Sequence, residues 1–281
     1  MDVRPLRGTV ETPDGIVVPG PHGVIDDAHG AVTESGVGLV ESDGEALLVD
    51  TGRQRRSNGS PTIDLVEARL DRFGLDLRTI VLTHYHYDHV GNAAVLADRY
   101  DAEVVCHPAD RPIIEDPTRL TRTAYLDSFG GDPQQIAKEL CLPDSGALLA
   151  DESTVETRYP DATPVTRTVD DGETLTVGEI DVRVLHTPGH TPGHLSVYVP
   201  ESRSLYLGDV CYWPTPLSPH PVGRAADQLA SIERCLDLKA KHLFSGHGLP
   251  RSGTADVEGY LLGARLRARQ LEDRILVLLA R

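Results

Sequence analysis

Six consecutive residues, His84-Tyr85-His86-Tyr87-Asp88-His89, hold three of the chain's twelve histidines and one carboxylate. Imidazole and carboxylate together form a borderline donor set that suits zinc best. Spaced as His-x-His-x-Asp-His, they deliver four candidate ligands from a single loop, a cluster that chance or core packing rarely produces. Three further signals each put one polar donor beside a glycine. These are His190 within His186-Thr187-Pro188-Gly189-His190-Thr191-Pro192-Gly193-His194, Asp209 in Gly208-Asp209, and His247 in Gly246-His247-Gly248. Glycine there lets the backbone turn sharply and approach a ligand closely. Taken singly, His190 and His247 would pass for core or turn histidines and Asp209 for a turn residue.

Each donor follows an apolar, β-rich run. Residues 79–83 read as a buried strand ahead of the histidine cluster, 180–185 as a strand ahead of His190, 204–207 ahead of Asp209, and 243–245 ahead of His247. Strand, loop, donor thus recurs four times in order. Upstream, 37–40 and 46–49 form a predicted hairpin around Asp43-Gly44, followed by Asp50-Thr51-Gly52. Ser60-Pro61 reads as the cap and first residue of an amphipathic helix through Phe73, carried by Ile63, Val66, Leu70 and Phe73. A helix over 91–100, a strand over 103–106, and further strands over 173–177 and 195–199 complete the predicted sheets. Residues 111–163 keep a helical period broken by prolines and glycines and read as a helical insertion in one domain spanning 1–281. A helix over 225–238 and a long C-terminal helix over 255–281 close the chain, the latter with Leu262, Leu266, Leu271, Ile275 and Leu278 as its packing stripe. Two β-then-α halves predict an α/β fold: an αββα sandwich of two mixed sheets packed face to face, with helices outside.

At 281 residues and 40% hydrophobic content the chain can bury one large core. The net charge of −16, with only three lysines, argues against a nucleic-acid or anionic-membrane partner. No apolar run reaches a spanning length and the N-terminus lacks a signal pattern, so a cytoplasmic location is expected. Cys106, Cys141, Cys211 and Cys235 are too widely spaced for a disulfide scaffold or a Cys-ligated zinc site. They read as buried hydrophobes, except Cys211, which is placed in the pocket wall beside Asp209.

In this order, the Asp-Thr-Gly loop, Thr-His-x-His-x-Asp-His, Thr-Pro-Gly-His-Thr, Gly-Asp and Gly-His make the chain resemble the metallo-β-lactamase superfamily from about Val37 to His247. The resemblance implies one metal held by His84, His86 and His190 and a second by Asp88, His89 and His247, with Asp209 bridging them. It implies two zinc ions per chain, with iron or manganese as alternatives. Each metal would have three side-chain ligands plus a shared carboxylate, leaving positions for water and substrate. Asp50 reads as an acceptor for a ligand histidine, and His186 and His194 as supports around His190. His22, His29, His107 and His242 are assigned no role.

The chemistry implied is hydrolysis. A metal-bridging hydroxide attacks a carbonyl or phosphoryl centre while the metals stabilise the oxyanion, with Asp88 able to hold or shuttle a proton. The family spans thioesterases of the glyoxalase II kind, lactonases, β-lactamases, sulfatases, nucleases and iron-dependent dioxygenases. This chain departs from β-lactamases of the same motif type, which generally lack the bridging Asp209. It departs from glyoxalase II after that residue, where Val210-Cys211-Tyr212-Trp213-Pro214 stands. Tyr212 resembles the tyrosine that N-acyl homoserine lactone lactonases place against the substrate carbonyl, and is expected to be catalytic with Asp88 and Asp209. The favoured substrate is a small ester, thioester or lactone, in a pocket walled by Tyr125, Leu126, Phe129 and Trp213. The rivals are a phosphodiesterase or ribonuclease, a mononuclear iron persulfide-type dioxygenase using His84, His190 and Asp209, and a non-catalytic metal-binding module. Arg53, Arg55 and Arg56 read as a solvated loop that could receive a substrate carboxylate. The oligomeric state is left open, a homodimer included.

Overall fold

The computed structural model describes residues 10–12, 15–17, 35–55, 61–120, 162–211, 225–248 and 250–279. Strands β1 (Val10–Thr12) and β2 (Gly15–Val17) form a small antiparallel pair. β3 (Gly38–Ser42) and β4 (Glu45–Val49) make the predicted hairpin, and Asp43 and Gly44 take φ values of 52° and 80°. Two successive positive φ values give a tight turn whose twist matches the flanking strands.

β4 continues in parallel to β5 (Asp76–Val81), β6 (Glu103–Cys106) and β7 (Arg167–Thr168), giving a mixed five-stranded sheet in the order β3-β4-β5-β6-β7. The second sheet holds β8 (Thr174–Val177), β9 (Ile180–His186), β10 (Leu195–Val199), β11 (Ser204–Gly208), β12 (His242–Ser245) and β13 (Arg251–Ser252). Its order is β13-β12-β11-β10-β9-β8, with β11 and β12 parallel and the other pairs antiparallel. β8 and β9 alternate buried and exposed residues, and β10 to β12 are buried throughout, so the sheet is covered on both faces at its centre.

The inner faces meet in one apolar layer, with Val40, Leu47, Val49 and Val81 of the first sheet against Val182, Val184, Val197 and Phe244 of the second. Outside the first sheet pack α1 (Ile63–Phe73), the turn α2 (Tyr87–Val90), α3 (Ala93–Tyr100) and α4 (Arg111–Glu115). Outside the second pack α5 (Ala225–Asp237) and α6 (Thr254–Leu279). This is the expected αββα order. Among the described residues no helix is long and apolar enough to cross a membrane.

Several boundaries move. Pro61 pairs with Arg55 in an isolated bridge, so α1 starts at Ile63 behind Thr62. β5 begins at Asp76, three residues earlier than predicted, and ends at Val81, releasing Leu82 and Thr83 toward the histidine cluster. The predicted 91–100 helix is α3, which starts two residues later at Ala93, and the short α2 precedes it within the histidine cluster. The packing face of α6 is Val257, Leu261, Ala264 and Ala268, while Leu262 and Leu266 are exposed. The side chains of Leu271, Ile275 and Leu278, the rest of the predicted stripe, lie outside the described residues. Of the predicted 111–163 insertion, α4 and a short 3₁₀ turn, Pro117–Leu120, are seen; residues 121–161 lie outside the described residues.

Candidate metal centre

The donors leave the sandwich at one end, from the C-terminal ends of strands in both sheets. Asp50 follows β4, His84 to His89 follow β5, His190 follows β9, Asp209 follows β11 and His247 follows β12. β4 and β5 run parallel, as do β11 and β12, so loops distant in sequence open side by side. Gly246 is needed for this convergence: a Cβ there would lie 2.0 Å from Asp209 Oδ1 and 2.9 Å from His89 Cε1.

Two donor clusters result, His84/His86/His190/Asp209 and Asp88/His89/His247, each with its ligand atoms within 4.8 Å of one another. In the first, His86 Nδ1 stands 2.9 Å from His84 Nε2 and 3.0 Å from His190 Nε2. In the second, His247 Nε2 is 3.3 Å from Asp88 Oδ2 and His89 Nε2 is 3.9 Å from the same oxygen. Asp209 lies between them: Oδ2 is 3.6 Å from His190 Nε2 and 3.3 Å from His247 Nε2, and Oδ1 is 3.5 Å from His89 Nε2. Donors bound tetrahedrally to one zinc-sized ion at about 2.0–2.1 Å would be spaced by roughly 3.3 Å. His89 Nε2 and Asp209 Oδ1 are buried and have no hydrogen-bond partner, a costly state unless a cation satisfies them. The residues therefore fit metal ions.

Electrostatics divide the histidines. Burial pushes His190 down to about 4, Asp209 only partly opposing it, and pushes His84 well below its ordinary value with the neighbouring imidazoles adding to the effect. These rings stay neutral, as a ligand must. Burial also opposes charge on His89 and His247, but carboxylates outweigh it: Asp209, Asp50 and Asp88 hold His89 well above its usual range, and Asp209 with Asp88 pushes His247 up to about 10. Against the burial that would raise it, Asp209 is held well below the usual carboxylate range by His247 and His89. Without metal, protons therefore occupy the second cluster.

Asp50, buried and with φ of 61°, fixes the rings of both clusters. Thr83 donates to it through N–H at 2.7 Å and Oγ1 at 2.8 Å, and His89 Nδ1 contacts its Oδ2 at 2.7 Å. Thr83 Oγ1, having donated to Asp50, accepts from His84 Nδ1 at 3.0 Å. Both ligand rings thereby turn Nε2 inward, which is the tautomer control metal histidines need. His194 supports Asp209: its Nε2 accepts the Asp209 N–H at 2.9 Å and its Nδ1 meets Thr187 Oγ1 at 3.0 Å. Burial pushes His194 down to about 3, so the ring stays neutral and accepting.

All seven expected ligands thus converge. His186 is half-buried at the rim and stacks on His107, their centroids 4.0 Å apart. His242 pairs with Ser252 Oγ away from the centre. Cys211 is not a pocket-wall residue: its thiol is buried in the core behind β11 with Cys235, and burial pushes it upward. Arg53 lies over the Tyr87 ring at 5.8 Å, on the ligand loop. Tyr125, Leu126, Phe129, Tyr212 and Trp213, with Cys141, Arg56, His22 and His29, lie outside the described residues. Gln228 was missed from sequence. Its Nε2 donates to Val210 O at 2.7 Å, next to Asp209, and its backbone abuts Gly189. The signal was present: a glutamine on the buried stripe of α5, in register with Ile232 and Cys235.

A sequence model of the Metallo-beta-lactamase superfamily matches residues 33–247. A probable metallo-hydrolase of Burkholderia pseudomallei is 28% identical over 232 residues, covering 75% of this chain and 67% of that protein. A hydroxyacylglutathione hydrolase of Brucella anthropi is 26% identical over 176 residues, covering 62% of this chain and 49% of that protein. The aligned part is thus about half to two thirds of the length of these curated relatives. Among solved structures, a metallo-beta-lactamase family protein, TTHA1429 of Thermus thermophilus, superposes with a TM-score of 0.62 at 26% identity, covering 97% of this chain and 80% of that one.

Proposed function

The chain belongs to the metallo-beta-lactamase superfamily, and from that premise we propose that it is a hydrolase of a small ester, thioester or lactone, working with two metal ions. Zinc is the favoured metal, with iron or manganese as alternatives. The observation that carries this reading is Asp209, whose two oxygens lie within 3.3–3.6 Å of imidazoles from both donor clusters. In this reading His84, His86 and His190 hold one ion, Asp88, His89 and His247 the other, and Asp209 both. Ions held there supply Lewis acidity, which lowers the pKa of water to about 7 and polarises a carbonyl.

The chain's own residues have definite parts. Asp50 keeps His89 and, through Thr83, His84 in the tautomer that presents Nε2. His194 fixes the Asp209 backbone, and the absence of a side chain at Gly246 leaves the space that the Asp209 carboxylate occupies. Asp88 is assigned the further part of holding or shuttling a proton during turnover. Tyr212 is assigned the hydrogen bond to the developing oxyanion. A phosphodiesterase is disfavoured by the net charge of −16. A mononuclear dioxygenase would leave the Asp88/His89/His247 cluster, with its own carboxylate support, without use.

The test is elemental analysis of protein purified without chelator, paired with a panel of esters, thioesters and lactones. Close to two metals per chain and turnover within the panel are expected. One iron per chain with no hydrolysis would refute the reading.

A further inference from the structure

A four-residue turn, His107-Pro108-Ala109-Asp110, joins β6 to α4, and neither the donor motifs nor the proposed chemistry uses it. Asp110 is about 1% exposed, yet it receives donors from both loops that build the first cluster. Thr191, the residue after His190, donates its hydroxyl to Asp110 Oδ2 at 2.6 Å, and the Gly193 N–H donates to Oδ1 at 2.7 Å. The backbone N–H of Tyr85, between His84 and His86, donates to the same carboxylate. One side chain therefore ties the middle of the His84/His86 pair to the neighbours of His190.

We propose that Asp110 is a positioning residue of the His84/His86/His190 cluster, bracing the His190 loop at the distance from the histidine loop that lets their three imidazoles converge. The inference rests on the metal-site reading above.

The packing supports it. A Cβ at Gly193 would lie 2.5 Å from Asp110 Oδ1, so only glycine permits this approach. The same turn stacks His107 flat on His186, interplanar angle 8°, and His186 Nε2 reaches Pro192 O at 2.9 Å. On its far side the loop is pressed on α5: a Cβ at Gly189 would lie 2.4 Å from Gln228 Cα, and Ser231 Oγ donates to Pro188 O at 2.7 Å. The loop is thus held on two sides, by the Asp110 turn and by α5.

Burial pushes Asp110 up to about 7, so its charge is carried at a cost, and the adjacent Arg111 is engaged with Glu115 at 3.0 Å. An asparagine fits the same space without that cost. What it loses is an oxygen: it cannot accept from both Thr191 and Gly193, one on each side of the carboxylate.

The test uses full-length protein stripped of metal and titrated with Co²⁺ against a chromophoric chelator, with the visible cobalt spectrum recorded at full loading. Asp110→Asn and Thr191→Val should each weaken the first cluster tenfold or more and alter the cobalt bands. Thr191→Ser, which restores the hydroxyl, should return both to wild type. Wild-type cobalt affinity and an unchanged spectrum in Asp110→Asn and Thr191→Val would overturn the proposal, whatever their melting temperatures. If Asp110→Asn does not fold, the Thr191→Val and Thr191→Ser pair decides alone. Failure of the wild-type protein itself to bind cobalt would refute the metal-site reading, and this inference with it.

Discussion

Asp209→Asn is the sharpest perturbation, because it keeps shape while removing the one donor common to both clusters. Asparagine is isosteric, and the backbone N–H that His194 accepts is unchanged. The carboxylate stands 3.3 Å from Nε2 of the partly buried His247 and 3.5 Å from Nε2 of the fully buried His89. At an effective dielectric of about 20, unit charges some 3.4 Å apart attract by about 5 kcal/mol. Most of that offsets desolvation, and removing one partner of such a pair costs the metal-free protein, whose imidazoles are protonated, about 3–5 kcal/mol of stability. Separately, replacing a carboxylate that would serve both ions by a neutral amide should weaken metal affinity by at least the roughly 10- to 100-fold that loss of a supporting partner costs. Chelator competition, elemental analysis and kcat on the best panel substrate read it out. We expect at most one metal to survive dialysis and kcat to fall at least a hundredfold, with the far-UV circular dichroism of wild type. Two retained metals and a kcat within threefold of wild type would refute the assignment of Asp209 as the shared ligand.

Asp50→Asn should weaken both metals by about 10- to 100-fold, because it frees His89 directly and His84 through Thr83; chelator competition checks this, and loss confined to the His190 side would contradict it. His194→Ala leaves the buried Asp209 N–H without its acceptor, at a cost of about 1–3 kcal/mol. A thermal melt of the metal-free protein should fall by several degrees, and no shift would sink the role given to that ring. Raised to about 10, against an unfolded value near 6.5, His247 contributes stability that is fully present below about pH 6.5 and lost as pH climbs toward 10. The metal-free protein should therefore lose melting temperature between pH 7 and 9, whereas the loaded protein should not, since its imidazoles are already neutral; parallel slopes would argue against the proton-filled second cluster. Tyr212→Phe should lower kcat at least tenfold with little change in KM; a variant equal to wild type would make the tyrosine pocket wall only.

Donor positions were legible because ligation needs particular atoms, and those atoms belong to few residue types. His84, His86, Asp88 and His89 announce themselves, and the glycines beside His190, Asp209 and His247 mark where backbone must come close. The sheets were legible for a related reason: burial on one face or both writes a period into the chain, and 103–106 and 195–199 match their predicted bounds. Of what supports the ligands, Asp50 and His194 were legible because they sit inside the motifs themselves, whereas Gln228 and Asp110, on segments far from those motifs in sequence, were not. Gln228 meets the Asp209 loop only once α5 lies on the second sheet. Asp110 reads as a loop acid until β6 brings it under Thr191 and Gly193. The α6 stripe failed for the converse reason. Leu262 and Leu266 fit a helical period as well as Val257, Leu261, Ala264 and Ala268 do, and only the approach of the neighbouring layer selects the smaller set. Sequence pattern thus identifies groups whose chemistry is their own and the supports that share their motifs, and loses supports contributed by distant segments. The ligands of this site belong to the first kind. Among the residues that hold them at 2.9–3.6 Å from one another, Asp110 belongs to the second, which is why it, rather than further ligand histidines, offers the more informative variant.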